Sequence, residues 1–351
     1  LAFARSAPRE LAAMWRAVGA EVPPEAGALA APRLEQIALS RVSRIAPEDQ
    51  LGMLLEQGAR RSSSKQTRKD RTRAIRALSG DPALGKNFAR IDDRWLDRLL
   101  VENARRGLLY TSPEELVEVK VLIARNLYFA GAEVTRHNVR AEALRLLELR
   151  DRFGGMEIFS GREVILVASD ERVDGSDRPV FGTSRVRKSL EREAAEVEQY
   201  GGAGPSVPAD RVLSRVEHAS RLTFVFSGHG RPGALKYHGA LKVRDLARAL
   251  AEQSRRTGRP VIALLLACRA HDYARNLLDA FERLGPGVPK PILITPEEYG
   301  QPWIKPGYGS ELARVLAERS GAVTLSDLGL GWGLGASVFV PDDHNIPRQI
   351  Y

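Results

Sequence analysis

Cysteine is almost absent: Cys268 is the only one in 351 residues. A lone thiol excludes an internal disulfide and any metal site built from several cysteines. It fits a reducing compartment, in which a free thiol keeps its reactivity. Long apolar runs are missing as well. None reaches the roughly 20 residues that a membrane-spanning helix needs, so no membrane span is expected. The opening Leu1-Ala2-Phe3-Ala4-Arg5 leads into no apolar stretch of signal-peptide type. Its start on Leu rather than Met is what a fragment or a processed chain would show. Aromatic residues make up only 6% of the chain. None interrupts the basic run Arg60-Arg61-Ser62-Ser63-Ser64-Lys65-Gln66-Thr67-Arg68-Lys69-Asp70-Arg71. That run therefore lacks a stacking platform for single strands, which argues against nucleic acid as a partner. No repeat of fixed period marks a solenoid.

What is present is ordinary globular usage, 43% hydrophobic and 28% charged, in a chain long enough for two domains. The formal net charge of +9 favours anionic partners, although the charges are spread over helical faces. The run at 60–71 reads as a solvated loop or a fraying helix start, a phosphate- or nucleic-acid-binding patch, or a protease-sensitive linker.

Residues 1–153 read as a helical region. Apolar residues recur at helical spacing in Ala7 to Val18, Leu34 to Ile45 and Pro47 to Gln57. Asp92 to Asn103 carries Trp95, Leu99 and Leu100 on one side. Ser112-Pro113-Glu114-Glu115 is a start signal for a helix through Phe129. Asn138 to Arg150 presents Ala143, Leu144 and Leu147.

From Gly154 to Tyr351 the pattern becomes α/β. Strands are expected at Arg162 to Ala168, Leu222 to Phe226, Val261 to Ala267, Pro291 to Thr295 and Ala336 to Val340. Helices are expected near Ser184 to Tyr200, Ala209 to Ala219, Val243 to Leu250, Asp272 to Leu284 and Ser310 to Arg319. Such alternation predicts a mostly parallel sheet flanked by helices. The glycine-rich Gly329 to Gly335 reads as a flexible loop over the sheet edge, with Trp332 capping a cleft. The residues after 340 read as an irregular tail.

Two strand ends carry the chemistry. The run Leu222-Thr223-Phe224-Val225-Phe226 ends in Ser227-Gly228-His229-Gly230. The run Val261-Ile262-Ala263-Leu264-Leu265-Leu266-Ala267 ends in Cys268-Arg269. In a parallel sheet both ends emerge at the carboxyl edge, where ligands bind in open α/β folds. An imidazole beside a thiol lowers its pKa or takes its proton. Gly230 lacks a side chain and can bring its N–H close to a substrate. With the N–H of Cys268 it would make an oxyanion hole. The commoner role of a buried strand-end cysteine is that of a small core residue. The pair Cys268 and His271, three apart, lacks the further ligands of a metal site; no metal is expected.

These motifs resemble those of the caspase-like cysteine peptidases, the clan that includes caspases, legumain, gingipain, clostripain, separase and toxin autoprocessing domains. In that clan one apolar strand ends in His-Gly and the next in Ala-Cys or Gly-Cys. Ala267-Cys268-Arg269 is similar to the caspase Ala-Cys-Arg core. Trp303 followed by Gly309-Ser310 resembles the caspase substrate-binding loop. Gly228-His229-Gly230-Arg231, then Gly239 and Asp245-Leu246-Ala247, resembles the toxin autoprocessing domains. The likeness covers residues 160–340 and leaves the helical region untouched.

The resemblance implies a cysteine endopeptidase with a His229–Cys268 dyad, acting on protein substrates, with the chain itself as one candidate. Substrate would lie between the 170–180 and 299–308 loops, with Tyr299 and Trp303 as subsite walls. Leu266 stands where caspases carry Gln, and Ile304 follows Trp303 where they carry Arg. An acidic P1 residue is therefore disfavoured. Leu266 would tolerate an apolar P1, since an unpartnered buried charge is costly. Asp170 and Glu171 would instead line a basic pocket. No cofactor is required; an anionic polyphosphate activator is the one implied by the toxin domains. The competing reading is an inactive caspase-like scaffold with a basic surface for an anionic partner. The N-terminal helices would then recruit a partner protein or regulate the enzyme. The expected location is cytoplasmic, in its own cell or in a host cytosol if the chain belongs to a secreted effector.

Overall fold

The computed structural model describes residues 88–91, 95, 96, 99, 113–169, 183–202, 204–237, 240–267, 269–285, 287–296, 312, 316, 322–331, 336–342 and 347–351. The chain divides into two compact units, residues 1–151 and 152–351. The helices expected before residue 60 and the basic run 60–71 lie outside the described residues.

In the first unit, a 3-10 turn at Phe88–Ile91 precedes two long helices, α1 (Pro113–Phe129) and α2 (Arg136–Phe153). Thr135 starts α2: its hydroxyl accepts the N–H of Asn138 at 3.2 Å, which satisfies one of the free first-turn donors. Each helix buries an apolar stripe, with Leu122, Ile123 and Leu127 on α1 and Val139, Ala143, Leu146 and Leu147 on α2. Leu144, expected on that face, is instead half exposed. The Arg140 guanidinium stacks over Trp95, 4.7 Å from the ring centroid.

The second unit is built on a seven-stranded mixed sheet in the order β10-β9-β8-β7-β3-β1-β2. Its central strands are β1 (Glu163–Ala168), β3 (Leu222–Gly228) and β7 (Ile262–Ala267). They pair in parallel, with β2 (Glu196–Tyr200) on one flank and β8 (Ile292–Pro296) on the other. Two antiparallel strands, β9 (Ala336–Pro341) and β10 (Pro347–Gln349), complete the far edge. Every residue of β3 and β7 is buried. That is why both read as largely apolar runs: a parallel sheet covered on both faces has no polar side to alternate with. Each fully buried Leu, Ile, Val or Phe adds about 1.5–3 kcal/mol.

Among the described residues, five helices accompany the sheet. Helix α3 (Thr183–Leu190) touches β1 and β2. Helices α4 (Ala209–His218), α5 (Val243–Thr257) and α6 (Ala270–Glu282) pack side by side, and α6 also lies against β7 and β8. Helix α5 shows why: Leu246, Ala247, Leu250 and Ala251 form one buried stripe, at spacings of 3 and 4. Gly258, with φ of 64°, ends it in the left-handed conformation that glycine adopts without penalty. Helix α7 (Leu325–Gly331) rests against β9.

Three local expectations change. The span 184–200 is not one helix: α3 stops at Leu190 and β2 follows. Glu-Val-Glu-Gln-Tyr is made largely of good helix formers, but pairing beside β1 overrides propensity. Arg215 of α4 then gathers the edge carboxylates, at 2.6 Å to Glu198 and 3.1 Å to Glu163. The glycine-rich loop begins inside α7, whose first turn is held by a reciprocal cap. Thr324 N–H donates to Asp327 at 2.9 Å, and Asp327 N–H donates back to the Thr324 hydroxyl at 3.3 Å. Trp332 lies outside the described residues. The tail contributes β10 rather than remaining irregular.

Candidate functional site

Chain direction decides where the sheet opens. From β1 the chain goes to β2 at one edge, and from β3 it goes to β7 on the other side. The carboxyl ends of β1 and β3 therefore flank the reversal point, the usual binding crevice of an open α/β sheet.

The β3–β7 ladder runs from Thr223 opposite Ile262 to Gly228 opposite Ala267. The next residues in sequence are His229 and Cys268. His229 is half-buried. Its carbonyl accepts the N–H of Lys236 at 2.9 Å, so the chain beyond β3 is locked at once into a small sheet. That sheet comprises β4 (Gly230–Arg231), β5 (Ala234–Leu235) and β6 (Leu241–Lys242). Gly230 pairs with Leu235, and the Lys236-to-His229 bond makes this a non-hydrogen-bonded pair. In an antiparallel ladder the N–H of such a residue points away from its neighbour strand. The N–H of Gly230 is thus turned away from β5.

Cys268 itself lies outside the described residues, but both its neighbours are described. Ala267 closes β7, and Arg269 opens the cap of α6 with φ of 55° and ψ of 29°. Arg269 is the only described non-glycine residue with positive φ. Such a conformation costs an L-residue on the order of 1–3 kcal/mol and tends to gather at functional sites. Arg269 holds this conformation next to the start of α6, with its Nε 3.1 Å from Asp272. Helix α6 also reaches the histidine side: Asn276 donates to the carbonyl of Pro232 at 2.7 Å. The turn after β4 is thereby tied to the helix that follows Cys268.

Gly228 answers to a close approach. A Cβ there would stand 2.4 Å from the Cβ of Ser169. The hydroxyls of Ser169, Ser227 and Thr295 are buried near these strand ends with no hydrogen-bond partner among the described residues. Orphan buried hydroxyls are uncommon, and nothing in the sequence pattern singled these three out.

Of the other expected site residues, Leu266 is buried in β7 opposite Ser227. Asp170, Glu171, Tyr299 and Trp303 lie outside the described residues, as do Ile304, Gly309 and Ser310. His271 packs edge-on against Phe339, with centroids 5.2 Å apart. Asp327 caps α7. Burial, and after it Asp245, pushes the Tyr273 phenol well above its usual range. Among the described residues no group of three or more His, Cys, Asp or Glu is placed to hold a metal ion. No described helix is long and apolar enough to cross a membrane. No protein-family model matches the chain, and no curated protein matches it.

Proposed function

We propose that this chain is a cysteine endopeptidase working through His229 and Cys268. One observation carries the reading: Gly228 and Ala267 are the last register pair of adjacent parallel strands, and the dyad residues are the ones that follow. The strained Arg269 next to Cys268, and the outward N–H of Gly230, add support.

In the proposed reaction, His229 takes the thiol proton and the thiolate attacks the scissile carbonyl. The tetrahedral oxyanion accepts hydrogen bonds from the N–H groups of Gly230 and Cys268. His229 then protonates the leaving amine as the C–N bond breaks, which leaves a thioester. Water, deprotonated by the same imidazole, attacks the thioester. Collapse releases the carboxylic acid, and the proton returns to the thiol. Neither a metal nor an external oxidant enters the balance.

Peptide-library profiling of the full chain tests the reading. We expect cleavage with a non-acidic P1 preference, abolished by Cys268→Ala. A preference for Arg or Lys would implicate Asp170 and Glu171, and one for Leu or Met an uncharged pocket. Equal cleavage, or equal inactivity, of wild type and Cys268→Ala would reject the peptidase and leave a binding module.

A further inference from the structure

The seven-stranded sheet ends on one side in β2, an edge that the proposed chemistry does not use. β2 pairs in parallel with β1, and among the described residues no strand lies on its other side. Alternate residues of a strand turn their N–H and C=O groups to opposite sides, so one set in β2 points away from β1. Among the described residues, Glu196 to Tyr200 have no backbone hydrogen bond outside the β1 ladder. The strand also contains neither Pro nor Lys, two common blocks to edge pairing.

Its side chains give the edge two different faces. Glu163 pairs with Glu196 and Ile165 with Glu198, so Glu163, Glu196 and Glu198 share one face. There Arg215 of α4 meets them at 3.1, 3.7 and 2.6 Å. One guanidinium does not serve three carboxylates equally. Glu198 also accepts the Tyr200 hydroxyl at 2.6 Å, and Glu163 the Ser220 N–H at 2.9 Å. Among the described residues, Glu196 has only the 3.7 Å approach, and it is 57% exposed. The chain runs from β1 through α3 to β2 and back through α4 to β3. Right-handed crossovers then put α3 and α4 on opposite faces. On the α3 face β2 offers the half-buried Val197, and α3 ends in Arg187 and Lys188.

We propose that β2 receives an extended peptide segment as one more strand, with Lys or Arg on the α4 face and uncharged side chains on the α3 face. Main-chain bonds to the open groups of β2 supply affinity, and alternate side chains choose the partner. A basic side chain completes Glu196, whereas the cations at the end of α3 disfavour one on the other face. A second copy fits poorly. Two-fold antiparallel pairing centred on Val197 or Glu198 sets glutamate against glutamate, which destabilises a strand pair. The same carboxylates thus guard the edge against self-pairing and select a basic partner. The proposal does not rest on the dyad.

Fluorescence-anisotropy titration of the full chain tests it, with a labelled Thr-Lys-Val-Lys-Thr peptide as probe. The wild type is expected to bind this probe and to bind Thr-Glu-Val-Glu-Thr at least about fivefold more weakly. Two N-methylated probes, one for each set of alternate residues, separate strand addition from charge attraction: one should lose binding and the other keep it. Glu196→Lys should weaken binding about two- to fivefold. Glu252→Lys, an equal charge change at an exposed site on α5, should bind like wild type. Cys268→Ala should also bind like wild type; loss of binding there would place the peptide at the dyad instead. Dimerisation of the wild type that the probe disperses would assign the edge to a second copy and reject the peptide. No binding by the wild type, equal binding of both N-methylated probes, or equal weakening by Glu196→Lys and Glu252→Lys would overturn the proposal.

Discussion

Gly228 of β3 and Ala267 of β7 face each other as the last pair of their parallel ladder. The candidate base and nucleophile are the residues that follow them. Whatever shifts one strand along the other shifts Gly228 against Ala267, so the proposed dyad depends on the fit of these strand ends.

Gly228→Ala tests that fit. The new methyl would collide with Ser169 at 2.4 Å from its Cβ and 3.0 Å from its backbone nitrogen. No rotamer change relieves a contact made by a Cβ. We expect a loss of about 1–3 kcal/mol in urea unfolding and loss of any activity that needs His229. Adding Ser169→Gly should recover part of the stability. A silent Gly228→Ala would mean that the strand ends are looser than described.

Arg269 holds a left-handed backbone without being glycine. Arg269→Gly should therefore keep or raise stability, by up to about 1 kcal/mol, because its ion pair with Asp272 is exposed and weak. Arg269→Val should lower stability, since a β-branched residue tolerates positive φ poorly. Chemical denaturation of the two variants checks the order; the reverse order would remove the argument for strain beside Cys268.

Glu163 supplies a pH dependence. Burial pushes its carboxyl up, but hydrogen bonds from Ser220 and the charge and hydrogen bond of Arg215 outweigh it, and the net direction is downward. A depressed carboxyl stabilises the fold fully above its unfolded value of about 4.3. That contribution fades as pH falls through the lower folded value. Glu163→Gln should cost at most about 1 kcal/mol at pH 7, given solvent screening. The gap between variant and wild type in urea midpoint should close on acidification below about pH 4. A gap that widens in acid would contradict the assignment.

The sequence disclosed the middle of the fold better than its edges. Largely apolar runs at 222–226 and 261–267 reveal buried parallel strands because burial on both faces removes polar alternation. Strand β2 stays hidden because Glu196, Glu198 and Gln199 suit a helix equally well and only the neighbouring β1 decides. The two-residue strands after His229 are too short to leave a period, although Pro232-Gly233 marks their turn. The histidine and cysteine motifs were legible as residue types at strand ends. The left-handed Arg269 was not, because one residue's φ leaves no periodic signal and arginine has no preference for positive φ.

The most direct measurement is mass-spectrometric labelling of the folded chain by a weakly reactive peptidyl acyloxymethyl ketone, with the heat-denatured chain as control. The account predicts one adduct, on Cys268, in the native wild type, and none in His229→Ala or in the denatured chain. Equal labelling of wild type and His229→Ala, or none of either, would contradict the dyad.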